Sequence, residues 1–152
     1  IAKEAKVSRQ SLYNTFPNKA AILTATMINF IDYNYDEIVK AINDDMSINE
    51  KLDIFRKLYV YEGFKVIEQT KGAGYPVSPE VSLYVKQKYV ALLAGFLTPY
   101  AKIMKDKNTN AEQYAELMFL SLQATKNYAD SLSHLKEITG LHIKTYTDFL
   151  TL

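Results

Sequence analysis

Apolar residues recur along this chain at steps of three and four, and strand-like alternation nowhere persists beyond a few residues, so the pattern predicts an all-α fold. The longest stripe carries Leu23, Met27, Ile31, Tyr35, Ile38 and Ile42, one face of a helix over about 20–43. Ser47 and Glu50 have the spacing of a capping box and open a helix through Ile48, Leu52, Phe55 and Tyr59 that runs on to about Gln69. The segment 71–76, with Gly72, Gly74 and Pro76, is the clearest loop. Ser78 and Pro79 start the next helix, since proline at the first helical position gives up an N–H that has no partner there. That helix reaches about Lys105, and Pro99 is expected to kink or split it. A second capping box is expected at Thr109 and Glu112, opening a strongly apolar helix through Leu117, Phe119, Leu120, Leu122 and Tyr128. After a turn at 131–134, a last helix carries Leu135, Ile138, Leu141, Phe149 and Leu150, and Gly140 weakens its middle by roughly 1 kcal/mol relative to alanine.

The first 23 residues, IAKEAKVSRQSLYNTFPNKAAIL, break this rhythm in an informative way. Residues 1–6 read as a helix tail, Val7 and Ser8 as a tight turn, and Ser8 as the N-cap of a short helix to about Phe16. Pro17 and Asn18 then break the chain, and Asn18 caps the long helix that follows. A helix end, a turn, a short helix and a second start form the outline of a helix-turn-helix. In such units the second helix enters the major groove with its N-terminal residues at the base edges, which here would be Ser8, Arg9, Gln10 and Ser11. Arginine pairs bidentately with guanine and glutamine with adenine. The chain starts inside a helix and without an initiator Met, so its true N-terminus is expected upstream.

The order and spacing of Ile1-Ala2, Ala5, Val7-Ser8, Leu12-Tyr13, Phe16, Asn18-Lys19 and Ile22-Leu23 closely resembles the DNA-binding domain of the TetR family. The resemblance implies that Tyr13 and Lys19 contact phosphates, and that Ser8 to Ser11 with Asn14 and Thr15 form the face that meets bases and backbone. Lys6 stands where that family most often has glycine, which implies a left-handed lysine under modest strain. The resemblance further implies a cytoplasmic bacterial regulator, a repressor in the usual mode. Its partners are palindromic operator DNA, a second copy of itself docked through the helices at about 110–131 and 134–151, and a small-molecule ligand. The domains would then be 1–23, the rest of the DNA-binding unit, and 24–152, a helical ligand-binding and dimerisation bundle.

Composition trims the alternatives. Net charge is +1, so any DNA contact must come from a local patch. With no cysteine there is no disulfide, thiolate metal site or cysteine nucleophile. No apolar run is long enough to span a bilayer, so no membrane partner is expected. Twelve tyrosines and seven phenylalanines concentrate on the middle helices, and a pocket drawn from Tyr59, Phe64, Tyr89, Phe96 and Met118 would suit an apolar or aromatic ligand. The same residues also read as ordinary core. His134, near a helix start, and His142, on an exposed turn, lack a carboxylate spaced to complete a metal face. The glycines at 72 and 74 lack the preceding strand and third glycine of a dinucleotide site. No catalytic residue, metal or cofactor is expected. Two readings stay open beside the regulator: a helical protein-interaction module, and a helical enzyme for a lipid-like substrate.

Overall fold

A computed structural model describes residues 3, 6–70 and 77–151, and among these every regular element is helical. The expected helix tail at Ile1, Ala2, Glu4 and Ala5 and the expected loop at 71–76 lie outside the described residues. The elements are α1 (Arg9–Thr15), α2 (Lys19–Ala41), α3 (Ile48–Phe55), α4 (Glu62–Thr70), α5 (Pro79–Leu97), α6 (Ala101–Asp106), α7 (Ala111–Tyr128) and α8 (Leu132–Thr151).

Most starts follow from short polar side chains that satisfy the first free backbone N–H groups. Ser8 Oγ accepts from Ser11 N at 3.0 Å, Asn18 Oδ1 from Ala21 N at 2.9 Å, and Ser78 Oγ from Val81 N at 3.2 Å ahead of Pro79. At Ser47 the capping box is complete: Ser47 N donates to Glu50 Oε2 at 2.8 Å and Glu50 N to Ser47 Oγ at 3.3 Å. The second expected box does not form. Asn110 caps α7 by accepting from Gln113 N at 2.9 Å, one residue later than Thr109, because an asparagine amide at that position already fills the cap. Ser131 takes the cap of α8, its hydroxyl accepting from His134 N at 3.1 Å, so the preceding turn is shorter than expected.

Two interruptions shape the bundle. Pro99 splits the helix after α5 into a single 3-10 turn, Thr98–Tyr100, before α6 resumes. Between α3 and α4 the expected continuous α-helix gives way to a π-helical turn, Arg56–Tyr61. A π turn accommodates an extra residue and re-aims the side chains that follow it. Three consecutive residues, Tyr59, Val60 and Tyr61, are buried here, which one face of an α-helix cannot achieve.

α2 packs on α3, the π turn and α5; α5 lies along α7, and α8 closes on α3 and α7. The core centres on Tyr89 of α5, fully buried, whose ring stands 4.3 Å from that of Tyr59, 5.7 Å from Phe55 and 6.0 Å from Tyr35. Its hydroxyl donates to the Ile31 carbonyl at 3.2 Å. Along α2, Ile31 and Ile38 are buried as the stripe predicts, while Leu23, Tyr35 and Ile42 are half-buried and Ile22 takes the buried place at the start. Ile22 stands outside the main core cluster.

Candidate functional site

α1 is an exposed helix. None of its residues is buried, and only Leu12 and, just beyond its end, Phe16 are half-buried. Arg9, Gln10, Ser11, Tyr13, Asn14 and Thr15 are exposed, as are Ser8 before the helix and Lys19 after it. Tyr13 is 54% exposed, so its ring is not held in the core. The Gln10 amide donates to Asn14 Oδ1 at 3.2 Å, one turn on, which pre-orients two of the candidate base-reading side chains on a shared face. Ser8 caps the helix and its hydroxyl also meets that of Ser11 at 2.9 Å, so both serines are first of all structural.

The turn that leads into this helix is strained as expected. Lys6 has φ of 54°, in the left-handed region, and its N–H donates to the Lys3 carbonyl at 3.3 Å. A side chain in that conformation costs about 1–2 kcal/mol relative to glycine. The local charge is one-sided: Lys3, Lys6, Arg9 and Lys19 accompany a single acid, Glu4, and no further acid occurs before Asp32. Residues 1–31 thus carry a local excess of positive charge within a near-neutral whole molecule.

α2 ties this head to the bundle through a polar link. Lys88 of α5 meets Asp32 at 2.5 Å, the Tyr84 hydroxyl donates to the same carboxylate, and the Lys88 ammonium lies 4.5 Å from the centre of the Tyr35 ring. The hydrogen bond from Lys88, then that from Tyr84, holds the Asp32 carboxyl below its ordinary range.

The bundle brings the candidate pocket residues into one packed interior: Tyr59, Phe64, Tyr89, Phe96 and Met118 are all buried. Burial drives the Tyr59 and Tyr89 hydroxyls well above the usual tyrosine range, so both remain neutral donors. Two hollows lie elsewhere. One, of about 430 Å³, sits between α3 and α8 and is lined by Asn49, Asp53, Arg56, Gly140 and Lys144 among others. The other, of about 340 Å³, lies between α2 and the helix from the π turn onward, lined by Phe30, Tyr33, Leu58, Glu62 and Val66 among others. His142 is not on a turn. It lies within α8, half-buried, because the helix continues through Gly140, and its Nδ1 has no partner among the described residues.

One residue escapes sequence reasoning altogether. Lys126 of α7 is only 7% exposed, and its ammonium lies 4.2 Å from the centre of the Tyr59 ring. Burial lowers its pKa to about 8. The signal was available: Lys126 continues Met118 and Leu122 at four-residue steps, in register with the buried face of α7.

Residues 1–26 match the family model of the bacterial regulatory proteins, tetR family. No curated protein and no solved structure matches the chain. The match, together with the exposed α1, supports a TetR-type transcription regulator with a DNA-binding helix-turn-helix at its N-terminus. Among the described residues no helix is long and apolar enough to cross a membrane.

Proposed function

We propose that this chain, opening with a tetR-family segment at residues 1–26, works in the bacterial cytoplasm as a repressor that binds palindromic operator DNA as a dimer and lets go when a small molecule enters its bundle. The carrying observation is α1 itself: a capped helix whose outward side chains, Arg9, Gln10, Tyr13 and Asn14, are all exposed and backed by local positive charge. Arg9 would read a base edge with Gln10, Ser8 and Ser11 beside it, while Tyr13, Asn14, Thr15 and Lys19 meet backbone and bases. The domain boundary would fall near residue 23, where burial passes from the local contacts of Ile22 to the main core.

Exposed apolar side chains support the dimer. Leu117, Leu120 and Tyr128 lie along one side of α7, with 56%, 49% and 84% exposure, and Leu141 of α8 is 59% exposed. A second copy would cover them and set two α1 helices against successive half-sites about 34–36 Å apart. The Tyr59, Phe64, Tyr89, Phe96 and Met118 cluster would admit the ligand by parting, and α2, bound to that interior by Asp32 and Ile31, would carry the displacement to α1.

A mobility-shift titration of the intact protein against the DNA upstream of its own gene tests the reading. Specific retardation that weakens in Arg9→Ala is expected. Equal affinity of Arg9→Ala and wild type for every sequence would refute the placement of the reading helix. Sedimentation of Leu120→Glu checks the dimer, which this charge should split into monomers.

A further inference from the structure

An ammonium offers three donors and strongly disfavours a dry environment without acceptors. Lys126 is more than nine-tenths buried, yet among the described residues no carboxylate and no hydrogen-bond acceptor meets it. Among the described residues, the face of Tyr59 is the contact that faces its charge. Its position is also provided for from the opposite helix. Gly63 lies against the lysine stem, and a Cβ there would come within 3.1 Å of Lys126 Cδ and 3.3 Å of its Nζ. Gly63 is thus the point where α4 approaches the ammonium without a side chain between them.

One turn back on α7, Gln123 accepts the Tyr59 hydroxyl through Oε1 at 2.5 Å, which leaves its amide N–H groups without a partner among the described residues. Residues three apart share a helix face. The ammonium of Lys126 and the amide of Gln123 therefore form a pair of donors on one face of α7, flanking one aromatic ring.

We propose that Lys126, with the Gln123 amide beside it and Tyr59 as an aromatic wall, is the anchor for the carboxylate of an aromatic acid that enters between α4 and α7 at Gly63. This rests on the reading of the Tyr59 cluster as the effector site and specifies the ligand's chemistry: a flat apolar body carrying one negative charge. The carboxylate supplies a counter-charge that the described residues do not, and the ring stacks among the aromatic side chains around Tyr59. A neutral aromatic of the same shape leaves the ammonium unpaired and binds weakly.

Calorimetric titrations of the intact protein with benzoate and 2-naphthoate, each against its neutral amide, test this. At least one carboxylate is expected to bind wild type about thirtyfold tighter than its amide, the scale for a desolvated charge pair. That preference should vanish in Lys126→Met, an apolar residue of similar length that keeps the core filled, and should survive in Lys126→Arg. Equal affinities for acid and amide, a preference that persists in Lys126→Met, or no binding of either carboxylate would each overturn the proposal. Operator titrations run alongside separate the two claims. Carboxylate binding that needs Lys126 but leaves operator affinity unchanged upholds the anchor and sinks the effector reading. Operator release by the amide as strong as by the acid does the reverse.

Discussion

The head and the bundle of this protein are organised on opposite principles. α1 buries no residue, holds a left-handed lysine in its leading turn and leaves its polar face to the solvent. The bundle buries Tyr89, Phe55, Leu93, Leu97, Met104 and Met118 completely and hides even a lysine. A surface that reads DNA, as proposed for α1, must present fixed residue types at fixed positions, so such a function would be written in local sequence. An interior that holds a ligand needs only volume, polarity and a few donors, and many sequences meet that need.

The sharpest break in that comparison is at the bundle's centre. Tyr89→Ala removes a ring that touches Tyr35, Phe55 and Tyr59, and is expected to cost about 3–5 kcal/mol in urea unfolding. A loss under 1 kcal/mol would mean that Tyr89 does not organise the core.

Lys126 should break the rule in the other direction. Replacing a buried charge by a well-packed apolar side chain is often stabilising, so Lys126→Met is expected to raise stability by about 1–4 kcal/mol at pH 7. The sign with pH follows. Burial lowers the Lys126 pKa from 10.5 to about 8, so between these values the unfolded chain binds more protons than the folded one. Wild-type stability should therefore rise with pH from about 8 until the tyrosines of the unfolded chain begin to ionise near pH 10. In Lys126→Met that rise should be absent from urea unfolding curves taken across the same range.

In the head the expected effects are on DNA, not on folding. Arg9→Ala should lower operator affinity by about 1–3 kcal/mol and relax preference at one base position, whereas Lys19→Ala and Tyr13→Phe should weaken all sequences alike. Fluorescence anisotropy against operator variants distinguishes the two patterns, and a uniform loss for Arg9→Ala would reassign it to phosphate. The smallest effect is expected at Lys6. Lys6→Gly relieves the left-handed lysine and should stabilise the head by about 1 kcal/mol, read as slower amide exchange in α1 with the bundle unchanged. Exchange that is no slower would show that the turn is not a source of strain.

Much of this was legible before any coordinates. Ser8, Asn18, Ser47 and Ser78 announced four helix starts, because capping depends on residues only three apart. Pro99 announced the break after α5, and Lys6 its own left-handed turn, since both are properties of one residue's backbone. The cap at Asn110 was displaced by one residue, where two suitable side chains stand next to each other and only the helix geometry chooses. The π turn was not foreseen, although the five-residue step from Tyr59 to Phe64 betrays an extra residue once it is known. Which residue of α2 is buried at its start, Ile22 rather than Leu23, was not legible from the stripe.

Local chemistry, then, was the sequence's own to determine: the helices, their caps and the resemblance of the first residues. The tertiary structure decided what depends on contacts far apart in the chain. It placed Asp32 against Lys88, 56 residues away, and Tyr59 against Gln123, 64 residues away. It left Leu117 and Leu120 exposed on a helix whose other face is core. It also turned Lys126 inward, where lysines are most often solvated. A pattern along one helix fixes which side chains share a face, but the partner that covers that face is set only when the helices pack.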